Sequence, residues 1–274
     1  MTPYYERDGI VIYCGDCLEV MPGLEGPVDA IITDLPYGTT ACSWDTIIPF
    51  EPLWVEYKRL IKERGAVVLT GSQPFTSQLI MSNLEWFKYE WIWEKKIKTR
   101  FLDVKSRPLL EHENVLLFCD GSPTYNPQMT KGKSHKRNRN QGKQTDNYGK
   151  FASLGEYISD EYYPTSILSI DHDKSRYTTL KHRPNRTKQH PTQKPVALFA
   201  YLIRTYTNPG DLVLDNTMGS GTTLLAAQNE GRQALGIEIS EEYCQIAVDR
   251  LRQPTFFSLP TMKKQPEYQQ EALF

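Results

Sequence analysis

The sequence predicts an α/β fold with a mostly parallel sheet, and three observations lead there. Short apolar runs alternate with stretches of helical periodicity along most of the chain. Between Asp211 and Glu238 a strand, a glycine turn, a helix and a second strand ending in acid follow one another, the βαβ order of nucleoside-binding sites. At 274 residues, with 39% hydrophobic and 24% charged, the chain can bury both faces of a sheet as one domain, or as one domain with an insertion.

Residues 9–14 read as the first strand, closed by Gly15-Asp16-Cys17-Leu18-Glu19. Residues 28–33 form an apolar run that reads as a short buried strand ending at Asp34. A helical pattern covers 44–60, with Pro49 and Pro52 near its start, followed by a compact strand at 65–70 and a helix at 73–84. Residues 87–94 alternate as a strand, in which Trp91 and Trp93 read as packing rather than base stacking, and 115–119 is a further strand. The character changes near Asp120: from 121 to 189 apolar runs are scarce, and turn formers and cations dominate. Order returns at His190-Pro191-Thr192-Gln193-Lys194-Pro195, followed by a helix at 196–207, a strand at 211–215, a helix through Asn229 and a strand at 233–239. A helix at 241–251 closes the fold, and 253–274, with Pro254, Pro260 and Pro266, reads as a loosely structured tail. The resulting units are 1–120, 121–189, 190–252 and 253–274.

No stretch approaches the roughly 18–20 apolar residues of a membrane span, and no basic-then-apolar leader opens the chain. Five cysteines without framework spacing imply reduced thiols in a cytoplasmic setting. Cys14 and Cys17 have the spacing of half a zinc site, but no second ligand pair follows, so no metal is expected. The net charge of −1 conceals an uneven distribution.

Asp34-Leu35-Pro36-Tyr37 suits the alkylation of a planar exocyclic amine. Such an amine is a poor nucleophile, because its lone pair is delocalised into the ring. The Asp34 carboxylate and the Leu35 carbonyl can accept its two N–H bonds, Pro36 fixes φ without offering a competing N–H, and Tyr37 offers a stacking face. The same residues also fit an ordinary strand-to-loop exit. In the second half, Gly219 and Gly221 permit close backbone approach at a helix start, and Glu238 can take both hydroxyls of a ribose. No Lys follows the glycines, which rules against a phosphate-gripping P-loop. Asp16, at a strand end, is either an acceptor for a nucleotide amine or a turn residue. Lys131, Lys133, Lys136, Arg137, Arg139, Lys143 and Lys150 come with little acid beyond Asp146 and with tyrosines interleaved. Such a segment is either a solvated loop or a nucleic-acid contact surface.

Together these stretches resemble the β-group of DNA amino-methyltransferases, in which the catalytic motif precedes the cofactor motif and the target-recognition region lies between. Asp34 to Tyr37 matches that family's acid-or-Ser, any, Pro, aromatic motif, and Asp215 to Thr223 its D-P-F-x-G-S-G-T loop. His190 to Pro195 matches its H-P-T-Q-K-P stretch, and Gly15 to Leu18 the segment that contacts the cofactor's adenine. The resemblance covers about 10–119 and 190–252. It implies a Rossmann-like, mostly parallel twisted sheet of the S-adenosylmethionine-dependent type, in which 1–120 is the catalytic half, 121–189 an inserted target-recognition region and 190–252 the cofactor-binding half. It further implies that Asp16, Cys17, Thr192, Lys194, Asp215, Met218, Gly219, Ser220, Gly221, Thr222 and Glu238 contact S-adenosylmethionine.

Two positions depart from the pattern. Leu35 stands where Pro is common, which is harmless because only its carbonyl is used. Asn216 and Thr217 replace the usual Pro-Phe, a change that bears on cofactor affinity and loop rigidity. The implied activity is site-specific methylation of double-stranded DNA by base flipping and direct displacement. The target is adenine N6, since adenine-directed members usually carry Asp where Asp34 stands and cytosine-N4-directed ones Ser. The chain lacks the Pro-Cys pair of the C5-cytosine enzymes. The rival readings are a cytosine-N4 enzyme, an RNA or protein-glutamine methyltransferase, and a non-catalytic nucleic-acid-binding protein on the same fold. A second copy or a cognate restriction enzyme is a further partner compatible with the resemblance, in a bacterium or a phage-infected cell.

Overall fold

The computed structural model describes residues 1–40, 42, 45–138, 156–170 and 193–253. Nine strands make one sheet: β1 (Tyr5–Arg7), β2 (Ile10–Cys14), β3 (Val28–Thr33), β4 (Ile61–Gly71), β5 (Phe87–Thr99), β6 (Leu110–Phe118), β9 (Ile167–Ser169), β10 (Leu212–Asp215) and β11 (Gln233–Glu238). Their spatial order is β1-β2-β11-β10-β3-β4-β6-β5-β9. The central run from β2 through β4 is parallel, as is the β5–β9 pair, whereas β1–β2, β4–β6 and β6–β5 are antiparallel.

The central strands are apolar on both faces because helices cover both. Ala30 and Ile32 of β3, with Ala66 and Val68 of β4, face α4 (Val196–Tyr206), α5 (Thr222–Asn229) and α6 (Glu241–Leu251). The alternate residues Ile31, Val67 and Leu69 face α1 (Cys17–Val20), α2 (Phe50–Leu60) and α3 (Phe75–Ser82). Trp91 and Trp93 are buried in the first of these cores, which is the packing role expected of them.

Several boundaries move. The helix expected over 44–60 begins at Phe50 with Pro49 as its cap, since Asp45 instead organises the preceding loop by accepting from the N–H groups of Gly38, Thr39 and Thr40 at 2.9, 2.9 and 2.6 Å. The helix expected over 73–84 is Phe75–Ser82. β5 and β6 run beyond their apolar centres into charged residues, because their antiparallel ladder continues where the core ends, and β4 begins early at Ile61, paired with Val28 of β3.

The larger difference concerns 121–189, which reads from the sequence as nearly free of strands. Thr130–Asn138 (β7) pairs antiparallel with Glu156–Tyr162 (β8), and β9 extends the main sheet along β5, burying Leu168. Asn126 ties the start of the segment to the end of α4, its N–H donating to Thr205 O at 2.7 Å. β7 and β8 carry mostly charged and polar residues, so their backbone pairing leaves no apolar periodicity to read.

Candidate active site

The parallel strands β2, β11, β10 and β3 bring their carboxyl ends side by side, which places Asp16, Glu238, Asp215 and Asp34 along one edge of the sheet. From β10 the chain leaves toward β11 and from β3 toward β4, in opposite directions, so a crevice opens between them. All four acids line a cleft of about 1150 Å³. That exceeds the usual 300–1,000 Å³ of a single small-molecule site and gives room for two groups.

On the β10–β11 side the glycine turn is built from the backbone. Gly219 has φ 51° and Gly221 φ 75°, conformations that favour glycine. Met218 N donates to Ile237 O at 3.0 Å, and Gly221 N to Met218 O at 2.8 Å. Glu238 locks the turn, accepting from Gly219 N and Ser240 N, both at 2.9 Å. Burial pushes its carboxyl up, and these two N–H groups pull it back down. Each of its oxygens keeps a further lone pair able to accept a hydrogen bond. Met218, Gly219, Ser220 and Thr222 line the cleft, whereas Gly221 does not. A Cβ on Gly221 would stand 2.7 Å from the Ala247 Cβ, so its bare Cα serves the packing of α6. Arg250 of α6, which the sequence pattern does not single out, clasps the turn from behind, donating to Ser220 O at 2.5 Å and to its hydroxyl at 2.9 Å. Burial lowers this guanidinium to about 10.

Asp16 caps α1 by accepting from Leu18 N at 2.8 Å, the turn role, while also lining the cleft. Cys17 lines it too, and burial raises its thiol. Asn216 and Thr217, which replace the usual Pro-Phe, each make a hydrogen bond out of the loop. The Asn216 carbonyl accepts from the buried Tyr57 hydroxyl of α2 at 2.6 Å. The Thr217 hydroxyl stands 2.7 Å from that of Thr33 and donates to the Asp34 carbonyl at 3.1 Å. Asp215, almost fully buried, accepts from the Thr33 hydroxyl at 2.7 Å and Thr217 N at 3.1 Å, and burial pushes its carboxyl up to about 6.

On the β3–β4 side the wall is built from side-chain charge. One Asp34 oxygen accepts from the Tyr37 hydroxyl at 2.8 Å and from the Thr70 hydroxyl. The other accepts from the Lys194 ammonium at 2.7 Å. Lys194 also pairs with Glu113 at 3.2 Å, and Glu113 with the buried Lys95 at 2.8 Å. Burial alone would lower the Lys194 ammonium, but Asp34 and Glu113 outweigh it and raise it. Lys194, expected on the cofactor, thus meets the acid of the other half. Tyr37 stacks on Phe75, with centroids 5.1 Å apart, and Lys194 Nζ lies 5.3 Å from its ring. Tyr37 and Pro36 both line the cleft, as does the buried Leu35.

Lys95, Glu113 and Thr70 are absent from the sequence reading, yet a signal exists. Lys95 is in phase with Trp91 and Trp93, Glu113 with Val115 and Leu117, and Thr70 with Ala66 and Val68. A charge on the buried face of an apolar strand is rare without a partner.

Of the residues expected on DNA, Lys131, Lys133 and Lys136 are exposed on β7. Arg137 belongs to the same strand by its backbone, while Arg139, Lys143 and, on the cofactor side, Thr192 lie outside the described residues. Among the described residues no group of three His, Cys, Asp or Glu could hold a metal ion, and no helix is long and apolar enough to cross a membrane.

Comparison with known proteins agrees with this geometry. A family model for DNA methylases of the N6/N4 type matches residues 28–249. The Type II methyltransferase M.HpaI of Haemophilus parainfluenzae is 26% identical over 267 residues, covering 88% of this chain and 73% of its own. Among solved structures, the M1.HpyAVI–SAM complex matches with a TM-score of 0.57 and 26% identity, over 89% of this chain and 99% of that one. The cytosine-N4-specific PvuII DNA methyltransferase matches in fold with a TM-score of 0.63 at 18% identity, over 90% and 88%.

Proposed function

The chain belongs to the N6/N4 DNA methylase family, and from that premise we propose that it is a site-specific enzyme directed to adenine N6 in double-stranded DNA. Its cofactor is S-adenosylmethionine, which when bound supplies a methyl group on a positively charged sulfur. The residues present fit that molecule. The glycine turn leaves backbone approachable, Glu238 has lone pairs for ribose hydroxyls, and Phe199, Ile239 and Tyr243 give the cleft apolar surface.

The observation that carries the reading is the place of Asp34, beside the glycine turn at the crevice between β10 and β3. The target base leaves the duplex, because its amine is otherwise paired and stacked. Asp34 and the Leu35 carbonyl accept the two amine hydrogens and free the nitrogen lone pair. Tyr37, held by Phe75 and by its own hydroxyl bonds, presents its ring to the base, an interaction worth roughly 1–3 kcal/mol. Asp34 then takes the proton that the amine sheds, and the Lys194 ammonium, 2.7 Å away, holds the carboxylate in place. Most of the acceleration comes from holding these groups in place. The choice of adenine is supported by Asp34 itself, an acid at the position where cytosine-N4-directed members usually carry Ser. The β7–β8 ladder, with Lys131, Lys133 and Lys136 exposed, supports a DNA-contacting role for the 121–189 insertion.

The test is mass spectrometry of nucleosides from duplex DNA incubated with the protein and S-adenosylmethionine. N6-methyladenine is expected, and N4-methylcytosine without it would overturn the choice of base.

A further inference from the structure

Past Lys95, β5 leaves the cleft floor and climbs to its rim, where Thr99, Arg100, Asp103 and Arg107 still line the opening. There Arg100 takes a left-handed φ of 65°, uncommon for a residue with a side chain, and redirects the chain into a tight turn over Phe101–Asp103. The turn is internally bonded, with Asp103 N donating to Arg100 O at 3.2 Å and Ser106 N to Asp103 O at 2.9 Å. What it presents is apolar: Phe101 is 71% exposed and Leu102 85%. A lone exposed apolar side chain needs no explanation, but two adjacent ones on a preformed turn at the mouth of a cleft do. Between 96 and 107 the sequence has five cations, at Lys96, Lys98, Arg100, Lys105 and Arg107, against one acid, Asp103, with Lys98 paired to Glu111 and Arg107 to Asp103.

We propose that Phe101 and Leu102 form a wedge that enters the DNA duplex beside the target base and fills the space that base vacates. This rests on the reading that a flipped base occupies the cleft. Apolar side chains flanked by cations match a duplex, whose stacked interior is apolar and whose rim is phosphate. A protein surface would reward the apolar pair without needing the cations or the place at the rim. Because the turn is already ordered, little conformational freedom is lost on insertion.

The experiment uses the full chain and a duplex containing a site that the wild-type protein methylates, in two forms: target base normally paired, and target opposite an abasic position. Single-turnover rates are measured for wild type, the double variant Phe101→Ala/Leu102→Ala and the conservative Phe101→Leu/Leu102→Met. Unstacking and unpairing a base costs a few kcal/mol, so the double Ala variant should be slower by about tenfold or more on the paired duplex. On the abasic form, where that cost is reduced, it should fall within about threefold of wild type, and the conservative variant should recover the paired rate. A 2-aminopurine at the target position should lose its flipping-dependent fluorescence in the Ala variant on the paired duplex alone. Equal rates for all variants, or equal loss on both duplexes, would overturn the wedge. So would a change in sedimentation with flipping intact, which would make the pair a contact between copies of the chain. Wild type inactive on every duplex would instead remove the reading on which the wedge stands.

Discussion

Glu238 uses both carboxylate oxygens on backbone N–H groups, those of Gly219 and Ser240, while the Asp34 carboxylate, on the opposite wall, is met by three side chains, those of Tyr37, Thr70 and Lys194. The first wall is held by main chain: the Gly219 and Gly221 conformations, the Met218–Ile237 hydrogen bond and the grip of Arg250 on Ser220. The second is held by an alternating row of charges, Lys95, Glu113, Lys194 and Asp34, laid on one face of the sheet. Backbone construction fixes shape and suits a ligand that is always the same. A row of charges fixes electrostatics, and suits a wall where an amine must be oriented and a proton accepted. The two walls should therefore fail differently.

The largest effect is expected at Asp34. Replacing it with Ala removes the acceptor for the amine and leaves Lys194 paired with Glu113 alone. Turnover should fall by about 10³-fold or more, in line with the loss of a principal electrostatic group. Cofactor affinity measured by calorimetry should stay within about twofold, since no bond of the glycine turn involves the Asp34 side chain. Substantial residual turnover would show that another residue serves as the essential acid.

Glu238→Ala should break the other wall. Loss of hydrogen bonds to a charged acceptor costs on the order of 2–3 kcal/mol, which corresponds to a cofactor dissociation constant weaker by roughly 30–150-fold. Turnover at saturating cofactor should suffer far less. An unchanged dissociation constant would assign the ribose to some other group.

How much of each wall was legible follows from the same contrast. The glycine turn, its flanking strands and Glu238 lie within 211–239, so local spacing exposes them, and α6 was read to its observed bounds. Asp34 was visible because its own neighbours Pro36 and Tyr37 mark it. Thr70, which donates to it, and Glu113 and Lys95, which reach it in turn through Lys194, come from three other strands, and only the sheet order β3-β4-β6-β5 makes them adjacent. Nothing in sequence separation encodes that order. Lys194 stands within a recognisable motif, but its contact with Asp34 spans 160 positions. β7 and β8 leave no sequence signal because strands paired through polar residues carry no apolar alternation, and β9, only three residues long, is too short to show one.

Asp215 sits behind the seam, and its pH dependence tests whether it is a buried charge. Its carboxyl is raised from 3.8 to about 6 by burial, so between those values the native state binds more protons than the unfolded one. The usual acid-loss pattern is therefore reversed for this group. Its ionisation costs stability at neutral pH, and that cost is relieved as pH falls through about 6. Between pH 7 and 5 this one group should contribute about 1 kcal/mol of added stability. Asp215→Asn should flatten that part of the difference between denaturant midpoints taken at the two pH values. An unchanged slope in the variant would place the charge in contact with water.

Thr217 gives the smallest effect and the sharpest test, because it is where the walls join. Its hydroxyl reaches Asp34 through the backbone carbonyl, and it stands against Thr33, whose own hydroxyl serves Asp215. Asp34 and the glycine-turn loop are thus tied together by one side chain. Thr217→Val keeps the shape and removes the hydroxyl, at a cost of about 1 kcal/mol. A joint of this kind should show that cost mainly in single-turnover rate, lowered by about fivefold, since misplacing reacting groups slows chemistry more than it weakens binding. Cofactor affinity and the denaturation midpoint should move little, and Thr217→Ser should restore the rate because it restores the hydroxyl. If Val weakens cofactor binding and leaves the rate alone, Thr217 belongs to the backbone-built wall only, and the two walls are positioned independently.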